Sequence, residues 1–288
     1  PALLTGSGRA HGARMSPNDD QAKPTIYRSA EAEQAIIERY DGLVAQWPVP
    51  VEERDLETRW GSIHVLSWGP PDGSPLLLCH AVDYIGEGNK SRLADRDVYP
   101  RSGQELGELY AGIMDELEVE RCPVVAASAG GHVALRLALV APERVERLVL
   151  AGPMGITPLS LGSMLRMMVA SLLPRPSVTQ RTSRWALGTS PSVTDRFGAW
   201  FTAVLEAVAS PPRVARPVAL EADEFSRIEI PVLLLLGTRD PLVGDAGRAA
   251  ERASALPDLR VEILESSHLV AAERADEANA LMTGFLRG

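Results

Sequence analysis

An apolar run, Cys122-Pro-Val-Val-Ala-Ala, breaks at Ser128 and passes at once into Ala-Gly-Gly-His132 and a helix-forming stretch. The pattern predicts a buried strand over Pro123–Ala127 and a helix over Gly130–Val140, stopped by Pro142. A strand that turns directly into a helix at a serine needs a tight bend. Small neighbours must stand where side chains would otherwise collide, and Ala126, Gly130 and Gly131 supply them. Such a bend lifts the Ser128 hydroxyl above the sheet edge, where the helix N-terminus favours developing negative charge. The plainer alternative is a serine that only caps a helix. The strand–turn–helix context favours a nucleophile.

The rest of the chain repeats the same alternation. Ser29 to Trp47 reads as a helix with Ile36, Tyr40, Leu43 and Trp47 on one face. Val51–Thr58 and Ser62–Trp68 read as a hairpin joined near Trp60–Gly61. Leu76–Cys79 is a short central strand, and residues 102–117 form an amphipathic helix opened by a Ser102/Glu105 capping box. Further strands are expected at Arg147–Ala151, Pro231–Leu236 and Leu259–Leu264. The closing helix presents Ala278, Leu281, Met282 and Phe285 together. Strands alternating with helices predict an α/β fold, a mostly parallel sheet covered on both faces. Three parts are expected: a leader over 1–25, a core over 26–154 and 227–288, and a helical cap inserted over 155–226. In that insertion Met164, Met167 and Met168 read either as its own core or as the lining of an apolar pocket.

Composition narrows the partners. A net charge of −9 argues against a nucleic-acid partner, because phosphate contacts need clustered Lys and Arg. No run of the sequence is long and apolar enough to span a bilayer, and the start lacks a signal-peptide layout. Neither a nucleic acid nor a membrane is therefore an expected partner; a small-molecule substrate is, and a homodimer is compatible. Gly6-Ser7-Gly8 follows no strand, which argues against a phosphate loop. The only lysines are Lys23 and Lys90, against many arginines, a bias that points to a GC-rich bacterial source. Cys79 and Cys122 sit at opposite ends of neighbouring strands and are expected as buried free thiols, which suits the cytoplasm.

A serine hydroxyl needs a base to take its proton. Of the five histidines, His11 lies in the leader, His64 in the hairpin, and His132 on the helix after the bend, in a structural role. His80 is likewise read as structural. His268 follows the strand ending at Leu264, on the sheet end where the bend opens, and is the candidate base. The imidazole in turn needs a carboxylate to hold its tautomer. Asp240 stands just after a buried strand in Leu-Gly-Thr-Arg-Asp240-Pro and is the candidate acid. Its bland reading is a turn-forming Asp before proline.

With these residues in place, the chain from about residue 27 onward resembles the α/β-hydrolase superfamily, and within it the bacterial carboxylesterases with a serine nucleophile. Ala-x-Ser128-x-Gly is similar to that family's G-x-S-x-G elbow, and the order Ser, Asp, His is the family's order. Asp83-Tyr-Ile-Gly-Glu-Gly-Asn-Lys-Ser91 is similar to the loop after the family's fourth strand, with Ser91 one residue late. The resemblance implies an oxyanion hole built from the N–H of Ala129 and a second donor, either Ala81 or a residue in a piece that the chain lacks. Leu76–Cys79 and Asp83 are nearly adjacent, whereas a parallel crossover needs a dozen or more residues. About 20–25 residues are therefore expected to be absent between Leu78 and Val82.

These readings together predict catalytic Ser128, Asp240 and His268, with Met154, Met164, Met168 and Leu242 as substrate contacts. Neither a metal nor an organic cofactor is implied. Hydrolysis of a carboxylic ester through an acyl-enzyme is the expected reaction. Acyl transfer, lactone chemistry or cyclisation in a water-excluding site is the alternative, and a non-catalytic ligand-binding protein on the same fold is the third reading.

Overall fold

The computed structural model describes residues 26–70, 72–79, 90–94, 99–188, 190, 193, 197–208 and 217–288. The N-terminal helix α1 (Ala30–Val44) begins where the Ser29 hydroxyl accepts from the Ala32 N–H, and buries Ile36 and Tyr40. A hairpin follows, β1 (Glu52–Thr58) and β2 (Gly61–Ser67), in antiparallel register from Glu52↔Ser67 to Thr58↔Gly61. β3 is only Leu77–Leu78, shorter than the sequence suggests, because Leu76 stands exposed outside the sheet. β4 (Arg92–Leu93) pairs with β2. Helix α2 (Gly103–Glu116) is capped by the Ser102 hydroxyl as expected, but Glu105 reaches one residue further back, to the Arg101 N–H.

The elbow joins β5 (Cys122–Ala127) to α3 (Ala129–Val140), and β6 (Val145–Ala151) follows. Among the described residues, four helices stand between β6 and the next strand: α4 (Leu161–Leu172), α5 (Pro176–Leu187), α6 (Ala199–Ala207) and α7 (Ala222–Ser226). The chain then runs through β7 (Val232–Gly237), α8 (Ala246–Ala253), β8 (Leu259–Leu264), α9 (Val270–Glu273) and α10 (Ala275–Arg287).

Five strands form a parallel sheet in the order β3-β5-β6-β7-β8, and three form a separate sheet, β1-β2-β4. Alternation along the strands divides the core between the two faces of the large sheet. Leu148, Leu150, Val232, Leu234 and Leu236 face the larger cluster, with Leu106, Tyr110, Ile113 and Ala249 from α2 and α8. Val149, Ala151, Leu233 and Leu235 face the other, where Ala278, Leu281, Met282 and Phe285 of α10 cover them. β7 is buried along its whole length, which is why it reads as an unbroken apolar run.

Ala81, the expected gap before Val82 and the Asp83–Asn89 part of the family-like loop all fall on residues 80–89, between β3 and β4 and outside the described residues. Leader residues 1–25 lie outside them too. Cys79 and Cys122 are free and buried, and the Leu77↔Val124 register sets them at opposite ends of their pair of strands. Burial pushes both thiols above the usual range. No helix among the described residues is long and apolar enough to cross a membrane.

The inserted helices leave and rejoin the core through a narrow neck. The Leu220 N–H donates to the Gly155 carbonyl at 2.8 Å. From α8, the Arg252 guanidinium donates to the carbonyls of both Ile156 (2.9 Å) and Leu220 (2.7 Å). One side chain thus holds the two ends of the insertion together.

Candidate active site

Ser128 carries φ +50° and ψ −125°, a strained conformation for a residue with a side chain. The surroundings hold it there. Its N–H donates to the Ala151 carbonyl at 3.2 Å, and its carbonyl accepts from Gly131 (3.0 Å) and Met154 (2.8 Å). The small residues have identifiable causes. A Cβ on Gly130 would stand 2.5 Å from the Cys79 carbonyl oxygen, and one on Gly131 would stand 2.3 Å from Pro153. No side chain can be accommodated at either position without moving backbone or ring.

Three loops, each at the C-terminal end of a parallel strand, bring the predicted residues together. His268 Nε2 lies 2.7 Å from Ser128 Oγ. His268 Nδ1 lies 2.8 Å from Asp240 Oδ2. The other carboxylate oxygen of Asp240 accepts from the N–H groups of Leu242 (2.8 Å) and Val243 (3.0 Å), so the acid cannot rotate away from the imidazole. With Asp240 accepting, Nδ1 carries the proton and Nε2 is left to accept from the serine hydroxyl. Asp240 and His268 are 4% and 2% exposed, so little water competes for these bonds.

The other two histidines among the described residues, His132 and His64, stand apart from this chain of bonds. His132 is as buried as His268, but it accepts from Arg136 Nε at 3.3 Å. Burial, helped by the Arg136 charge, pushes its pKa down to about 4, which keeps it neutral. His64 sits between Asp55 (2.7 Å) and Glu53 (3.0 Å) on the hairpin. Ala129, the first of the expected oxyanion donors, opens α3, where a helix leaves its first N–H groups unused. Ala81 and His80 lie outside the described residues.

The expected substrate contacts divide. Met154 stands beside the elbow through its bond to Ser128, and Leu242 packs against the end of α5. Met164 and Met168 are instead 46% and 51% exposed on an outer face of α4. The inward side of that helix carries Ser163, whose hydroxyl donates to the Pro241 carbonyl next to Asp240. Periodicity located the stripe but not the side it faces.

Several residues that the sequence reading passed over hold the site together. A Cβ on Gly152 would lie 2.5 Å from the His268 carbonyl oxygen, and one on Gly237 would lie 2.3 Å from that of Ser267. Their signal was a glycine directly after, or at the end of, a buried strand. The loop carrying His268 is tied to the insertion as well. Ser267 Oγ donates to the Leu187 carbonyl at the end of α5 (2.9 Å) and meets the Glu273 carboxylate, which also accepts the Ser267 N–H at 3.0 Å. Thr157 Oγ1 donates to the Val243 carbonyl at 2.6 Å, tying the insertion to the acid loop.

A model of the alpha/beta hydrolase family matches residues 60–281, three-quarters or more of the chain. The chain belongs to that family. This alpha/beta hydrolase is 26% identical to the carboxylesterase YbfK of Bacillus subtilis, across 91% of this chain and 97% of that one. That match runs over 292 positions, more than the share of this chain that it uses, so parts of YbfK have no counterpart here. The crystal structure of carboxylesterase CesB (YbfK) superposes with a TM-score of 0.80 at 24% identity, covering 89% of this chain and 98% of that one. That of the naproxen esterase (carboxylesterase NP) from Bacillus subtilis gives 0.77 at 21% identity, over 91% and 100%. The parallel sheet and the helices on both its faces are those of the shared fold.

Proposed function

We propose that this alpha/beta hydrolase cleaves carboxylic esters through an acyl-enzyme on Ser128. The reading rests on one observation, the unbroken chain of hydrogen bonds from Ser128 Oγ through His268 to the pinned carboxylate of Asp240. The likeness to carboxylesterases over nearly the whole chain supports the choice of ester.

In this reaction Ser128 Oγ attacks the ester carbonyl carbon as His268 Nε2 takes its proton. Asp240 stabilises the imidazolium that forms. The Ala129 N–H, at the positive end of α3, stabilises the negative oxygen of the tetrahedral intermediate. That intermediate collapses with loss of the alcohol, which leaves with the proton from His268. Water then attacks the acyl-enzyme, gives a proton to His268, and releases the acid as Ser128 is restored. No step needs a metal or organic cofactor.

Ser128→Ala removes the nucleophile without adding bulk at the elbow. Turnover of a short-chain nitrophenyl ester is expected to vanish, and a fluorophosphonate probe should label the parent chain but not the variant. Undiminished turnover with an unchanged circular dichroism spectrum would refute the assignment. Running the parent reaction with an added alcohol, and weighing acid against new ester by mass spectrometry, separates hydrolysis from acyl transfer.

A further inference from the structure

Helix α4 is amphipathic in the inverted sense. Its inward side carries Ser163 and Ala170, both buried, while Leu161, Met164, Leu165, Met168, Val169 and Leu172 are between 37% and 77% exposed. Their combined free surface is on the order of 500 Å², near the top of the range for the largest apolar patch on a monomeric protein. Within it, Leu161, Leu165, Met168 and Leu172 recur at steps of four, three and four residues, the spacing of a helix–helix seam.

We propose that this face is where two copies of the chain associate, with α4 packed antiparallel against α4 of the second copy about a two-fold axis. An isologous contact doubles one self-complementary patch, and a patch of this size is a large part of the roughly 800 Å² per partner in a standard interface. The rest of the molecule is acidic, yet α4 carries no acidic residue, so the seam itself brings no like charges together. Its one charge, Arg166, lies over the Trp185 ring of the same chain at 4.9 Å.

Other occupants fit less well. A helix that lies on a lipid surface carries several Lys or Arg on its polar face, and a net charge of −9 is repelled by an anionic leaflet. Leader residues 1–25 offer only Leu3, Leu4 and Met15 as large apolar side chains, too few to fill a four-position seam. A substrate bound at Ser128 would lie on the opposite side of the helix, where Ser163 meets the acid loop. The inference stands apart from the esterase reading, since it concerns mass and not turnover.

Sedimentation velocity on the full chain at micromolar concentration tests it. The expected species has twice the 31.0 kDa chain mass. Leu165→Glu and Leu172→Glu should each return it to the monomer, with circular dichroism and ester turnover per chain unchanged. A monomeric parent chain, or variants that remain dimeric, would overturn the proposal. So would a monomer that floats with phosphatidylcholine–phosphatidylglycerol vesicles. Because Cys79 and Cys122 are buried, new thiols report orientation. A chain with both Leu161→Cys and Leu172→Cys should cross-link under mild oxidation, and either substitution alone should not. Efficient cross-linking of the single Leu172→Cys chain would exclude the antiparallel arrangement.

Discussion

The two sides of the inserted helices differ in what they offer a neighbour. Facing the core, the insertion adds directional bonds to its apolar contacts: Thr157 bonds to the Asp240 loop, Ser163 to Pro241, and the Leu187 carbonyl to Ser267, while Ala186 and Leu187 pack with Leu242 and Leu269. Facing outward, α4 presents leucine and methionine. Hydrogen bonds are directional, so the inner side can fix where Asp240 and His268 stand to within a few tenths of an ångström. Apolar contact is not directional, so the outer side can dock a partner without constraining the chemistry. Position is set inside and association outside.

The largest effect is expected at the centre of the inner side. Asp240→Asn keeps the shape of the side chain, but its amide can present a donor to Nδ1 and favour the wrong imidazole tautomer. A loss of roughly 10³–10⁴ in kcat is expected, with KM and thermal stability nearly unchanged. Steady-state kinetics on a nitrophenyl ester checks this. A loss of less than tenfold would mean that the pinned carboxylate does not serve the base.

Two equally buried histidines show how far the sequence could be read. The sequence puts His268 after a strand, at the sheet end where the elbow opens, and His132 on the helix after the elbow, and both stand there. Those placements need only strand ends and chain order. The clamps that place His268 were not readable in that way. Gly152 and Gly237 make room for backbone of the base loop, and Glu273 seats Ser267 under α5. Those fits join residues far apart in the chain, and no local period encodes them. The outward turn of α4 was hidden for a related reason: an amphipathic stripe reports that a helix has two sides, not which neighbour each side meets.

His132 also gives a pH prediction away from the insertion, as a measure of burial alone. Its folded pKa is about 4, below the ordinary 6.5 of an unfolded histidine. Between those values the unfolded chain binds a proton that the folded chain refuses. The stability that this neutral imidazole contributes is complete above pH 6.5 and lost as the pH falls towards 4. The whole loss is on the order of 3–4 kcal/mol, since one pKa unit is about 1.4 kcal/mol. Urea unfolding at pH 7 and pH 5 should show a smaller difference for His132→Gln than for the parent. An equal difference would mean that other groups carry the slope.

The tie between α5 and the base loop should give a smaller effect, seen in rate more than in stability. Gly188 has φ +90°, and a Cβ there would stand 2.2 Å from Ser267 Oγ. Gly188→Ala should therefore lift α5 from the loop. Glu273→Gln keeps the length of the side chain and loosens its hold on Ser267. Falls in kcat of about tenfold, with a displaced pH profile of kcat/KM, are expected for both, because a shift of even 1 Å in a positioned group is costly. Glu273→Asp should recover less than the parent rate. A changed melting temperature with an unmoved pH profile would reduce Glu273 to a purely structural brace.

The smallest effect belongs to the outer side, and its smallness is the point. Leu172 is 70% exposed, so Leu172→Ser removes little apolar surface that folding had buried. Within one copy the change should alter unfolding free energy by less than about 0.5 kcal/mol, the usual range for exposed positions. Dilution then distinguishes the two sides of the insertion. In a dimer the parent chain gains apparent stability with concentration, as any self-associating protein does. The serine variant should lose that dependence while keeping the melting temperature of the dilute parent. A variant that melts much lower at every concentration would show that Leu172 belongs to the fold of its own chain, and the division between an inner side that positions and an outer side that associates would fail at that residue.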